Sequence, residues 1–240
     1  MPDRRRHRGA HPRDRELFAE TALPALRSAS VDYCWLISRG YSADAALALV
    51  GDRYQLVARQ RLAVARVCCS DAALAARRSR RLEPAQLRGA ALRVDGFNVC
   101  ITLEAALSGG VVLVGREGAH RDLASVHGNY RRVSETPPAL ELLVQRLLAL
   151  EPARVTWYFD RPVSNSGMLA GLLRRSLAAR GSEAEVLLSE RVDAELSAAG
   201  AVAVSADSGI LDAAESWFDL AGATLREHVP EAWRVDLWTG

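Results

Sequence analysis

The sequence predicts an α/β protein in which a small all-helical N-terminal domain precedes a parallel-sheet α/β domain. Three observations predict it. Residues 16–76 carry apolar side chains near the helical period of 3.6. From about residue 90, short runs of buried-strand character alternate with helical segments, the pattern of right-handed βαβ units and a parallel sheet. The charge divides at the same place. Residues 1–93 hold 18 Arg and 9 acids, a net of +9, while residues 94–240 hold 13 Arg and 20 acids, a net of −7.

At 240 residues, 49% apolar and 25% charged, the chain suffices for one large or two small domains with real cores. No apolar run approaches the roughly 18 residues that cross a bilayer. Residues 1–15 are rich in Arg and His but have no apolar segment behind them, so they are no secretory signal, and a cytoplasmic protein is expected. All 31 basic residues are arginine. With no lysine this fits a high-GC codon bias, so the charge asymmetry says more about nucleic acid than the arginine count does. Cys34, Cys68, Cys69 and Cys100 show no CxxC pairing and are expected as buried free thiols. No Cys/His cluster has zinc-ligand spacing.

Taken in order, residues 1–15 lack periodicity and are expected as a flexible basic arm. In the helical domain, Leu17, Leu23 and Leu26, then Val31, Cys34, Trp35, Leu36 and Ile37, form the apolar stripes. Gly40 breaks the pattern and Ser42 is an N-cap with Asp44 in the first turn. A short helix over 43–50 stops at Gly51, and a longer one over 55–69 carries Arg59, Arg61 and Arg66. Helix, glycine turn and Arg-bearing helix outline a nucleic-acid-binding helix-turn-helix; a packing module with a solvated Arg face fits the same pattern. Residues 77–89 form a basic linker with a helix-stopping proline at Pro84. The α/β domain, 90–240, has strands at 90–94, 155–159, 184–188 and 201–204, followed by helices at 99–107, 168–180, 193–199 and 209–217. A strand or hairpin at 109–114 and a helix over 138–150 lie between the first two strands.

Ligands of open parallel sheets bind beyond the carboxyl ends of the strands, and the acids of this domain fall there. Asp95 follows the first strand, Asp160 the second and Asp207 the last, and Asp193 begins the helix after the third. One such aspartate is ordinarily a turn former or helix cap. Four at one edge repel unless a cation lies among them, and Mg²⁺ or Mn²⁺ prefers oxygen ligands. Such a site suits phosphodiester hydrolysis.

Val94-Asp95-Gly96-Phe97-Asn98-Val99 resembles the opening Asp-Gly-x-Asn motif of the NYN branch of PIN-like nuclease domains. Val192-Asp193, with Leu196, and Val204-Ser205-Ala206-Asp207 are similar to that group's later acidic motifs. The resemblance covers about residues 90–220. It implies metal-binding acids at Asp95, Asp193 and Asp207, an orienting role for Asn98, and Asp160 on the rim or in the metal shell. A second acid often follows two residues after the last motif. Here that position is Gly209, and the nearest candidate is Asp212. The whole chain also resembles an uncharacterised prokaryotic family of domains of unknown function, through Ser38-Arg39-Gly40-Tyr41, Val50-Gly51-Asp52-Arg53-Tyr54 and the stretch from Arg161 to Gly167.

Two further clusters stand out. Arg161, Ser164, Asn165 and Ser166 lead from a strand into a helix and are candidates to hold a phosphate, although a plain capping loop fits equally. His120 and His127, in a polar stretch over 116–132, would share one face of a helix and line a groove; a solvated helix is the alternative. Three functions follow: a divalent-metal-dependent nuclease acting on RNA in preference to DNA, a non-catalytic nucleic-acid-binding regulator, and a metal phosphatase for small substrates.

Overall fold

The computed structural model describes residues 7–124 and 129–238; residues 1–6 and His127 lie outside them. The N-terminal region is helical: α1 (Asp14–Leu17), α2 (Leu23–Ser38), α3 (Ala43–Arg53), α4 (Ala58–Val67) and α5 (Asp71–Arg80). Ser42 and Ser70 cap α3 and α5 through their hydroxyls, which accept from the amides of Ala45 and Ala73. α3 continues through Gly51, where a glycine stop was expected, and a Cβ at Gly51 would meet the Arg61 guanidinium.

The rest alternates strand and helix: β1 (Ala91–Asp95), α6 (Gly96–Leu107), β2 (Val112–Val114), β3 (His120–Asp122), α7 (Thr136–Leu148), β4 (Arg154–Asp160), α8 (Ser166–Ala179), β5 (Glu185–Ser189), α9 (Val192–Ser197), β6 (Val202–Val204), α10 (Ser208–Ala213), β7 (Trp217–Phe218), α11 (Leu220–His228) and β8 (Arg234–Asp236). Five strands form a parallel sheet in the order β5-β4-β1-β6-β7. The chain builds outward from β1 to β5, then returns to add β6 and β7 on the other side. The switch point of this doubly wound sheet therefore lies between β1 and β6.

Successive strand residues point to opposite faces, and both faces are covered. Val155, Trp157 and Phe159 of β4 join Val202 and Val204 of β6 in the core under α6, α7, α8 and α11. Tyr158 and Ala203, one residue out of phase, pack with Trp217 against α9 and α10. Burying side chains on both faces makes β6 read as a short unbroken apolar run.

A second, mixed sheet has the order β3-β2-β8, with β2 antiparallel to β3 and parallel to β8. Val111, Leu113, Leu123, Val235 and Leu237 of this sheet and its margins share one core with Leu26, Tyr33, Val50, Val64 and Val67 of the helices. The N-terminal helices thus pack on elements drawn from near both ends of the second region. The helix expected to end at Trp217 stops at Ala213, and Trp217 is a strand residue whose indole N–H donates to the Arg77 carbonyl (2.8 Å). Within the polar stretch over 116–132, His120–Asp122 form a hairpin strand, not a helix, and His120 is buried. Among the described residues no helix is long and apolar enough to cross a membrane.

Candidate active site

Asp95 ends β1 and caps α6. Its Oδ1 accepts from the Asn98 amide (3.1 Å) and its Oδ2 from the Ser205 hydroxyl (2.9 Å). Ser205 also accepts from the Asp207 amide (3.1 Å), and the Asn98 Oδ1 accepts from the Ala206 amide (2.9 Å). These bonds join the ends of β1 and β6 at the switch point. Gly96 has its own reason: a Cβ there would overlap the Phe159 ring. Asn98 therefore fixes both the carboxylate of Asp95 and the loop that carries Asp207.

Asp207 caps α10, its Oδ1 accepting from the amides of Gly209 (2.8 Å) and Ile210 (3.3 Å). Asp160 ends β4 beside Ser189 of β5 and is half-buried, and Asp193 is exposed in the first turn of α9. Asp95, Asp160, Asp193 and Asp207 line one cavity of about 440 Å³ together with Asn98. Burial pushes the Asp95 carboxyl up to about 7, and the charges of Asp160 and Asp207 add to the rise against the bonds from Asn98 and Ser205. Burial and the neighbouring Asp193 also raise Asp160. The four acids are close enough to repel. Yet among the described residues no three His, Cys, Asp or Glu side chains stand together as a ready-made metal cluster.

Three further residues line the cavity without having been read from sequence as part of the acidic site: Asp122, Arg66 and Arg121. Asp122 is buried and its carboxyl is lifted by that burial, against the pull of Arg66. Its oxygens accept from the Ala124 amide (2.6 Å) and the Thr102 hydroxyl (3.2 Å). Arg66, on α4, donates to the Asp122 carbonyl, and Arg121 donates to the Ala206 carbonyl (2.7 Å) and to Glu117. Their only sequence signal was polarity in 116–132 and an Arg-bearing helix; proximity to the sheet edge depends on β3 pairing with β2.

Other expected site residues lie elsewhere. Asp212 leaves the cavity and takes a two-pronged ion pair with Arg77 (2.7 and 2.8 Å). Arg161 is exposed and donates to the Leu188 carbonyl (3.1 Å), and Ser166 donates to the Arg161 carbonyl (3.4 Å). Asn165 has a left-handed backbone (φ 66°), and its amide side chain donates to the Tyr130 carbonyl (2.8 Å). Ser164 bridges to Asn129 through its backbone. Arg161, Asn165 and Ser166 spend their side-chain donors on backbone carbonyls, and Val163 is the loop's residue that lines the cavity.

Fold and site define a doubly wound α/β protein with an acid-lined cavity at its switch point. Residues 84–223 match the family described as domain of unknown function (DUF5616), and residues 25–80 match the protein of unknown function family DUF434. The first match spans more than half of the chain, which belongs to that family. The chain is also 32% identical over 187 residues to "Uncharacterized protein MJ0935" of Methanocaldococcus jannaschii, covering 78% of this chain and 89% of that protein. No solved structure matches it.

Proposed function

We propose that the chain is a divalent-cation-dependent nuclease that hydrolyses phosphodiester bonds, in RNA rather than DNA. One observation carries the reading: Asp95, Asp160 and Asp207, which end or follow β1, β4 and β6, and Asp193 from the first turn of α9 line a single cavity at the sheet's switch point, and two arginines line the same cavity. The donor set is all oxygen, which suits Mg²⁺ or Mn²⁺, and the charges of Asp160 and Asp207 add to the rise that burial gives the Asp95 carboxyl. Asp95, Asp160, Asp193 and Asp207 would hold the ion; Asp212, committed to Arg77, would not. A bound ion would supply a water of lowered pKa and charge for the attacked phosphate. Asn98 and Ser205 hold the Asp95 carboxylate, and Arg66 and Arg121 offer positive charge to the phosphate. The likeness of residues 94–99 to the NYN opening supports the same chemistry. The four cysteines, all buried and unbridged, support a cytoplasmic setting.

The test is cleavage of single-stranded and structured RNA by the purified chain with Mn²⁺, Mg²⁺ or chelator. Asp95→Asn keeps the shape and should lower metal-dependent cleavage by at least about 100-fold. Activity that survives chelator or the substitution would overturn the reading. That no three of the described acids stand together as a ready-made cluster favours one other reading, a regulator that binds RNA without cutting it. Binding without cleavage at any metal concentration would establish that instead.

A further inference from the structure

Residues 7–13, expected from sequence as part of a flexible arm, are held on the α/β region, and the hold has a chemical centre. Glu104, near the end of α6, is fully buried. Its carboxylate takes up four donors: the Arg8 Nε (2.5 Å), the Thr136 hydroxyl (2.6 Å), the Tyr130 hydroxyl and the Cys100 thiol (3.6 Å). A second Arg8 nitrogen donates to the Arg131 carbonyl (3.0 Å), and the guanidinium lies 5.3 Å from the centre of the Tyr130 ring. A buried carboxylate needs its charge matched, and Arg8 is the only cation among its four donors. The other three belong to α6 and to residues 130–136, so the walls of this site do not depend on Arg8. A carboxylate, a carbonyl oxygen and an aromatic face together form a socket for a guanidinium.

Tyr130 connects the socket to the acidic cavity by two routes. Its ring packs on Phe97 (centroids 5.4 Å apart), which stands between Gly96 and Asn98 and lines the cavity. Its backbone pairs with the loop between β4 and α8. There its amide donates to the Ser164 carbonyl (3.3 Å), and its carbonyl accepts from the Asn165 side chain (2.8 Å). That loop runs on from Asp160 and carries Val163, and both line the cavity.

We propose that Arg8 is a positioning residue: seated in the Glu104 socket, it holds Tyr130 and, through it, the Phe97 and Asp160 sides of the acidic cavity at the spacing that binds a divalent cation. The cation half rests on the nuclease reading of that cavity, and the socket half stands without it.

Arg8→Gly removes the guanidinium and leaves a space that methylguanidinium fits. In the full-length variant, hydrogen exchange of the Tyr130 amide should quicken at least about ten-fold. Mn²⁺, titrated by calorimetry, should bind about ten-fold more weakly than to the wild type. Methylguanidinium should restore both properties, and tetramethylammonium, a cation without N–H donors, should restore neither. Folding that itself needs methylguanidinium also supports the socket. Arg8→Lys keeps a charge beside Glu104, so it should fold, lose less Mn²⁺ affinity and ignore methylguanidinium. Exchange and Mn²⁺ affinity both unchanged in Arg8→Gly, or losses that methylguanidinium leaves in place, overturn the socket. Faster exchange with unchanged Mn²⁺ affinity overturns the positioning role. Rescued exchange in a chain whose wild type binds no Mn²⁺ keeps the socket and sinks the cation half together with the nuclease reading.

Discussion

Acidic side chains meet two different fates in this molecule. At the seam between α5 and the α/β region, each acid has a basic neighbour: Glu117 faces Arg121 and Arg77, and Arg77 also clasps Asp212. The backbone joins in, as Arg80 donates to the carbonyls of Asp212 and Ala214 and Arg81 to that of Glu117. The arginines of 77–81 are spent on docking α5. At the switch-point cavity, Asp95, Asp160, Asp193 and Asp207 face mainly one another, and the carboxyls of Asp95 and Asp160 rise. Matched buried charge holds a fold together, whereas unmatched charge at a sheet edge stores an affinity for something else.

The strongest way to break that contrast is to cut the seam. Arg77→Ala leaves Glu117 buried without one of its two arginines and frees the Trp217 face from the charge network. It should cost about 3–5 kcal/mol, seen in urea unfolding and as a melting temperature lower by roughly 10 °C. Pairing Arg77→Leu with Glu117→Gln should recover much of the loss. A single substitution that unfolds like wild type would mean the seam is ornamental.

The cavity should behave in the opposite sense. Between pH of about 4 and 7 the folded chain holds a proton on Asp95 that the unfolded chain has released. This group's contribution to stability therefore falls as pH rises through that window and levels off above it. Asp95→Asn removes the slope. In chelator at pH 8 the variant should be the more stable protein, by at most about 4 kcal/mol, and the gap should close at pH 4. Equal stability of the two proteins at both pH values would show that folding does not raise the Asp95 carboxyl.

Asp207→Asn gives the smallest effect and sharpens the comparison. Asparagine caps a helix as well as aspartate does, so stability should move by no more than about 0.5 kcal/mol. Losing the charge should nevertheless lower the titration midpoint of Asp95, followed by NMR of its carboxyl carbon. A midpoint that stays near 7 would assign the rise to burial alone.

Much of the second region was legible because its signals are local. The β1, β4, β5 and β6 runs are apolar and bounded by turns, and each falls within about two residues of the strand read from sequence. Asp95 and Asp207 follow strands because they cap the helices that come next, and Asp160 closes β4. Less was legible where pairing is non-local. β3, β7 and β8 are two or three residues long and in part polar, and they exist as strands only because Val112 meets Asp122 and Arg234, and Val204 meets Phe218.

By itself, the chain's alternation of apolar runs and capped helices determined that a parallel α/β unit follows a helical one and that aspartates gather where strands end. Tertiary structure decided which acids stay unmatched. Asp212 looked like a site residue one turn beyond Asp207, but Arg77, 135 positions earlier, takes its carboxylate. Asp122 lay in a polar stretch and Arg66 on an Arg-bearing helix, neither tied to the strand-end acids, and the β2–β3 hairpin and α4 carry them into the cavity. Period and capping act within one turn or one strand, so the sequence exposes them directly. Charge pairing is decided by whichever side chains the packed elements bring within a few ångströms, and no local pattern records that.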